Sequence, residues 1–282
     1  MPSGYITLCM SLSECVSGLP HAPGVYIFHG DGGLPLYIGK SIDIRARVLS
    51  HLRNPDEARM LSLTRRIEAL ETAGEIGALL LESRLIKTHS PVFNQRLRRV
   101  KTLSSLQLTS EASGLKPVLV DGRQVQHGIT PGLYGLFTSA HAAKEKLHAL
   151  AKQHRLCLQL LGLEKTSSRA CFGRQTGQCA GVCTGEETRQ SHDHRLQNAL
   201  QALQIHTWPF AGAVDLLEQR GDWLQKHRVL NWCYLGSWCS DNRSYQPLST
   251  TSQGFDADTY QILVKPILMG LVEIQPTLHK LN

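Results

Sequence analysis

No stretch of about 18 apolar residues occurs anywhere in the 282-residue sequence, so a membrane-spanning helix is excluded. Among the first 19 residues there is no Lys or Arg, and Ser and Glu14 interrupt the apolar positions. A secretory leader is therefore not expected, and a cytoplasmic location is. Internal repeats and low-complexity tracts are missing, which sets aside solenoids and disordered linkers. No helix-turn-helix or zinc-finger signature is present, so no module of those kinds is expected to read base sequence. Aromatic residues make up only 6% and are not clustered as a single-stranded RNA surface requires. What remains, 41% hydrophobic and 19% charged, suits a soluble globular protein of two or three small domains.

The charge that is present is mostly basic. Net charge is +7, with a pI near 9.0, which favours an acidic partner. Residues 20–101 hold 13 Lys/Arg against 8 Asp/Glu. Within them, Arg84, Lys87, Arg96, Arg98, Arg99 and Lys101 follow one another without an acid between. A solvated basic face would account for this run; a phosphate-binding surface would also.

Residues 20–101 alternate strand-like and helix-like segments. Residues 23–29 read as a strand, Gly30 to Gly33 as a turn, and residues 36–38 as a second strand, together a hairpin. Asp43 is a suitable N-cap for a helix whose stripe is Ile44, Val48 and Leu52, with Arg47 and His51 along one edge. A second helix is expected over 56–66, and residues 67–72 fit either its continuation or a third strand. A helix over 75–89, stopped by Pro91, is apolar nearly all round and should be deeply buried. Residues 102–156 read as strands followed by a helix from Ser139, and residues 186–203 as a further helix. The tail, with Trp208, Trp223, Trp232 and Trp238, yields no topology from its periodicity.

Glu82 is out of place in such an apolar helix, since a buried carboxylate is costly unless paired or bound to a cation. An ion pair with an arginine is the ordinary explanation; a ligand for Mg²⁺ or Mn²⁺ is the functional one. The neighbouring motifs bear on this choice. Gly24-Val25-Tyr26 and Tyr37-Ile38-Gly39 fall on the two strands of the hairpin, followed by Lys40, Arg47, His51, Glu82 and Asn94. This order resembles the GIY-YIG nuclease domain. Leu36 to Ser41, and Leu81 to Lys87 with Pro91 and Asn94 behind, resemble its UvrC-like members in particular. Val25 replaces the Ile of the first motif, and His51 stands where UvrC-like members usually carry Tyr.

The resemblance implies a metal-dependent DNA endonuclease, with Tyr26, Tyr37, Gly39, Lys40, Arg47, His51, Glu82 and Asn94 as site residues and Glu82 as the metal ligand. The residue types suit phosphodiester hydrolysis. An ion on Glu82 would stabilise the leaving oxygen, and Arg47 offers a fork of donors to phosphate. Tyr26 or Tyr37 would take a proton from water, helped by a cation such as Lys40 because a free tyrosine titrates near 10. Gly39 permits close backbone approach, and Asn94 would hold the strands or Glu82 in place.

Of the eight cysteines, Cys157, Cys171, Cys179 and Cys183 cluster in a C-x13-C-x7-C-x3-C spacing. With no export signal, a four-thiolate site for zinc or an iron–sulfur centre is expected rather than disulfides. The irregular spacing leans toward iron–sulfur, and Ala170-Cys171-Phe172-Gly173 with Cys179 to Cys183 resembles the UvrC region for which a [4Fe–4S] cluster is expected.

The fold expected is therefore α/β. A GIY-YIG domain, a short antiparallel sheet flanked by helices, spans 20–101; linker strands, a helix and the cysteine segment span 102–185; a mixed α/β region spans 186–282. No counterpart of UvrC's RNase-H-like domain or helix–hairpin–helix repeats is expected here. By resemblance the chain belongs with short UvrC homologues of enteric bacteria. The resemblance implies a role in nucleotide excision repair under the SOS response, with incision of damaged double-stranded DNA expected 3′ to the lesion where UvrA has loaded UvrB. Other expectations compatible with the residues are a restriction or homing nuclease of the same domain type, or a non-catalytic iron–sulfur DNA-binding module.

Overall fold

Every residue of β2 (Gly24–His29) is buried, and its two faces feed two separate cores. Val25 and Ile27 point one way and Tyr26 and Phe28 the other, as the two-residue period of a strand requires. In the computed structural model, which describes residues 5–8, 16–94, 103–112, 114–240 and 254–277, β2 pairs antiparallel with β3 (Pro35–Ser41) and with β4 (Arg66–Glu71). β1 (Tyr5–Leu8) closes the far edge, giving the order β1-β4-β2-β3. Helices α1 (Ile44–Leu52) and α2 (Ala58–Leu63) cover one face, where Ile44, Val48 and Met60 join Tyr26, Phe28 and Ile67. Helix α3 (Glu75–His89) covers the other, bringing Leu81 and Ile86 to Val25, Ile27, Ile38 and Leu70. Cover on both faces is why β2 reads as an unbroken apolar run rather than an alternating one.

This short antiparallel sheet between helices is the fold the sequence led us to expect. Asp43 caps α1, its side chain accepting from the Ala46 amide at 2.9 Å. Residues 67–72, ambiguous by pattern, belong almost wholly to strand β4, held on both sides by β1 and β2. The helix expected over 56–66 is correspondingly shorter: a 3-10 turn (Pro55–Glu57) leads into α2, which ends at Leu63. Pairing of Arg66 with His29 draws the chain into the sheet at that point.

Residues 100–208 form a second compact unit. β5 (Ser104–Glu111) runs between β6 (Gly114–Asp121) and β7 (Leu133–Phe137), all antiparallel. Helix α4 (Ala140–Gln153), capped by Ser139, packs Leu147 and Leu150 against Leu106. After a loop-rich stretch holding the one-turn helix α5 (Phe172–Gln175) and a 3-10 turn (Val182–Thr184), α6 (Arg189–Gln201) closes the same core with Leu196, Ala199 and Leu200. Helix α6, expected from the sequence to belong with the C-terminal region, therefore packs with the cysteine segment.

The described residues after 208 belong to the same unit as the described residues before 100. β8 (Val214–Arg220), β9 (Trp223–Leu230), β10 (Cys233–Cys239) and β11 (Glu273–Pro276) make an antiparallel sheet in the order β10-β9-β8-β11, with α7 (Ala257–Leu268) between β10 and β11 in sequence. Helix α7 packs on α3. That second cover explains the apolar girth of α3: the nuclease sheet takes one side and α7 another. Among the described residues, no helix is long and apolar enough to cross a membrane.

Phe28 is fully buried, with its ring against those of Tyr26, Tyr37 and His51. Replacement of Phe28 by Ala is expected to cost about 3–5 kcal/mol of stability. Urea denaturation of the full chain, followed by tryptophan fluorescence, should show the midpoint fall accordingly; an unmoved midpoint would contradict the packing described.

Candidate active site

Strand pairing sets Tyr26 opposite Gly39. A Cβ at position 39 would stand 2.3 Å from the Tyr26 hydroxyl, so only glycine lets the phenol lie across the backbone of β3. The Tyr26 hydroxyl meets His51 Nε2 at 2.6 Å. On its other side, His51 Nδ1 hydrogen-bonds Glu57, whose second oxygen accepts from Asn54 Nδ2 at 3.1 Å. The His51 ring is buried and touches Tyr26, Tyr37 and Phe28, with centroids 5.3, 5.4 and 5.6 Å away. Arg47, one turn earlier on α1, is exposed, and its charge acts on the Tyr26 phenol.

Glu82 sits on α3 beneath the opposite side of the hairpin. Its Oε1 accepts from the Lys40 amide at 2.9 Å. Burial pushes its carboxyl above the usual range, and the Lys40 amide and charge oppose this only in part. Among the described residues no Lys, Arg or His forms an ion pair with it; the Lys40 ammonium pairs with Glu75 instead, at 2.6 Å. Among the described residues, the ordinary explanation for a carboxylate here, an arginine partner, is thus not met. A half-buried carboxylate with no ion-pair partner among the described residues suits a hard divalent ion, so the residues fit Mg²⁺ or Mn²⁺ on Glu82.

Asn94 acts on β3 rather than on Glu82. Its Oδ1 accepts from the Ile38 amide at 2.9 Å and its Nδ2 donates to the Ile38 carbonyl at 2.7 Å. It thereby supplies the missing neighbour of an edge strand, between Tyr37 and Gly39. Burial raises the Tyr26 phenol far above its ordinary value, Tyr37 adds to this, and Arg47 opposes it. The Tyr37 phenol is raised by burial and then by the nearby Glu82. The cation beside Tyr26 is accordingly Arg47, not Lys40 as the sequence order suggested.

Glu57 and Asn54 escaped the sequence reading. Glu57 lies six positions past His51, in a stretch read simply as the next helix, and no spacing rule marks it. Of the basic run, Lys87 is engaged with Asp256 and Asp258, while Arg96, Arg98, Arg99 and Lys101 lie outside the described residues.

In the second unit, the Sγ atoms of Cys157, Cys171, Cys179 and Cys183 all lie within 4.8 Å of one another. The first three are fully buried and none forms a disulfide. Backbone amides of Arg174 and Gly181 donate to the sulfurs of Cys171 and Cys179 at 3.3 and 3.4 Å. Burial pushes the Cys179 thiol up to about 11. Four converging thiols with amide donors fit a thiolate-bound metal centre.

The patterns of three protein families match successive parts of the chain. The UvrC-like GIY-YIG domain covers residues 22–95, the UvrC/Cho excinuclease middle domain 103–202, and the excinuclease Cho C-terminal domain 213–280. Excinuclease Cho of Salmonella typhi is 49% identical over 265 residues, 93% of this chain and 89% of that protein. Excinuclease Cho of Escherichia coli strain K12 is 47% identical, over 93% of this chain and 88% of that protein. UvrABC system protein C of Desulfitobacterium hafniense is 33% identical over 200 residues, 68% of this chain and 31% of that protein. The GIY-YIG N-terminal endonuclease domain of UvrC from Thermotoga maritima, bound to magnesium as its catalytic divalent cation, aligns with 30% of this chain and 98% of its own at 32% identity, with a TM-score of 0.29. With nearly half its residues shared over almost its whole length, the chain belongs to the excinuclease Cho family, UvrC-related and metal-dependent DNA endonucleases of the GIY-YIG type.

Proposed function

We propose that the chain serves nucleotide excision repair by hydrolysing a phosphodiester on the 3′ side of a lesion, in duplex DNA onto which UvrA has loaded UvrB. The observation that carries the chemical part is the line from Tyr26 through His51 to Glu57, with, across β3 from it, a half-buried Glu82 that lacks an ion-pair partner among the described residues. Glu82 would hold the divalent ion. When bound, that ion supplies Lewis-acid stabilisation of the departing 3′ oxygen.

The remaining work falls to side chains of this chain. As water attacks phosphorus, its proton passes to the Tyr26 oxygen while the Tyr26 proton passes to His51 Nε2. Glu57 holds the imidazole in the tautomer that accepts there and stabilises the imidazolium that results. The concerted transfer suits the burial of Tyr26, because no standing phenolate is required. Arg47 offers its exposed guanidinium fork to the phosphate oxygens. Tyr26 is the tyrosine with this outlet for a proton; Tyr37 lies nearer Glu82, where a second negative charge would be opposed.

An end-labelled duplex with one defined lesion tests the whole reading. Incision is expected 3′ to the lesion, only with a divalent ion and only when UvrA and UvrB are present. Glu82→Gln should abolish the cut and leave DNA binding near normal, since the basic surface is untouched. Equal cutting of undamaged DNA without UvrB would overturn the repair assignment.

The relay has its own test. Glu57→Gln preserves size but loses the charge that orients and stabilises His51, and should slow single-turnover incision by about 10²-fold. DNA affinity should not change. An unaltered rate would remove Glu57 from the mechanism.

For the cysteines, two observations favour different centres. Their irregular spacing supports a [4Fe–4S] cluster, the expectation for UvrC-like chains. Their sulfurs, all within 4.8 Å, approach the spacing of about 3.8 Å that one tetrahedral zinc requires. Anaerobically purified protein with a cluster would be brown, with broad absorption near 400 nm; colourless protein with one stoichiometric zinc would select the ion. In either case Ser at any of the four positions should lower metal content and solubility together, and Cys233→Ser should do neither. Stable, active protein with neither metal would show four ordinary thiols.

A further inference from the structure

Helix α3 carries Glu82, yet it has no side-chain cap from its own segment. Its N-cap residue is Gly74, in extended conformation. The first-turn amides of any helix need acceptors from elsewhere. Here they find them on the C-terminal sheet: Ile76 and Gly77 donate to Oε1 and Oε2 of Glu218 on β8, at 2.8 and 2.7 Å. Just upstream, the Ala73 amide donates to Oε1 of the fully buried Gln225 on β9, at 2.7 Å.

Glu218 is itself tightly placed. On the neighbouring strand β9, His227 meets Glu218 through Nε2 at 3.0 Å and Ser237 Oγ through Nδ1 at 2.6 Å. Burial works against the charge of Glu218, but His227 and the two helix amides hold its carboxyl below the usual range. A Cβ at position 74 would stand 2.2 Å from Glu218 Oε1, so a local Ser, Thr or Asp cap would collide with the distant one. The other end of α3 is gripped as well: the Lys87 ammonium contacts Asp256 and Asp258 around the start of α7, at 2.7 Å each.

We propose that Glu218 is a positioning residue of the nuclease, a cap supplied by the C-terminal module that fixes the seating of α3 and thereby the placement of Glu82 as metal anchor. The proposal rests on the reading of Glu82 given above. It gives the C-terminal module a part in catalysis that acts through α3: the module completes the helix that the metal site is built on. Gln225 and the Lys87 pair act in the same sense, one ahead of the helix and one near its end.

The test uses the full chain with Mn²⁺ as the probe, comparing wild type, Glu218→Ala, Glu82→Gln and, as a surface control on the same strand, Gln219→Ala. Three quantities are read: hydrogen exchange at the Ile76 and Gly77 amides, Mn²⁺ binding by electron paramagnetic resonance, and the divalent-ion dependence of incision. Glu218→Ala should expose both amides to exchange and weaken Mn²⁺ binding about 10-fold or more, as loss of an outer positioning group does. Incision at saturating DNA should fall and recover as the ion is raised, while Gln219→Ala matches wild type. Faster amide exchange with unchanged Mn²⁺ affinity would overturn the proposal, leaving Glu218 a purely stabilising cap. A Glu82→Gln protein that binds Mn²⁺ like wild type would instead overturn the metal-anchor reading, a distinct result. If Glu218→Ala fails to fold, Glu218→Gln, which keeps one acceptor oxygen, should expose one of the two amides and is judged by the same changes in Mn²⁺ affinity and incision.

Discussion

One hydrogen bond ties the two halves of the candidate active site together: the Lys40 amide donates to Glu82 Oε1 at 2.9 Å. It joins helix α3 to the end of β3, directly after the second tyrosine motif. Everything else at the site is placed relative to that junction. Gly39 sits one residue before it and admits the Tyr26 phenol, which no larger residue would. Asn94 fastens Ile38 one residue earlier again, so the edge strand cannot peel away. Three consecutive residues of β3 therefore each serve a different partner: Ile38 serves Asn94, Gly39 serves Tyr26, and Lys40 serves Glu82.

The electrostatics on the two sides of β3 differ in kind. On one side lies a carboxylate that burial makes reluctant to ionise and that no described cation neutralises. On the other lies a phenol that burial makes reluctant to lose its proton, with a histidine and a second carboxylate in line behind it. A divalent ion would relieve the first; passing the proton onward relieves the second. Glu57 and Glu82 are carried by elements on opposite faces of the sheet. Were Glu57 beside Glu82, the two carboxylates would compete for one cation and the histidine would lose its orienting partner.

What could be read in the sequence was whatever is local. The apolar run of β2, the Asp43 cap and the motif order from Tyr26 to Asn94 depend on neighbouring residues or fixed spacings, and the chain brings those motif residues together. β4 was ambiguous because the stretch from Ile67 to Leu70 is too short to separate the two periods, and pairing on both sides decides it. Glu57 was invisible because its role depends on a turn folding back under α1. Lys40 misled for a related reason: adjacency to the motif suggested its charge serves a tyrosine, whereas its amide serves Glu82 and its ammonium serves Glu75. The Glu218 cap is more than 140 positions from its helix, and the only trace it leaves in sequence is a glycine where a capping side chain would be usual.

The cysteine segment obeys a different constraint. Across residues 162–195 the only buried positions are Cys171, Gly173, Cys179, Gly181 and His192. Not one large aliphatic or aromatic side chain is buried there; Phe172, beside a cysteine, is 62% exposed. The hydrophobic core of this unit stops at Leu161 and resumes at Leu196. Burial of apolar surface cannot then offset the entropy of ordering more than thirty residues, which costs on the order of 1–2 kcal/mol each. The segment converges instead on four sulfurs, with Cys157 held from behind as its amide donates to His192 Nε2 at 3.2 Å. A metal centre on those sulfurs would supply what the missing core does not, and its bonds would be the principal long-range ties of the loop.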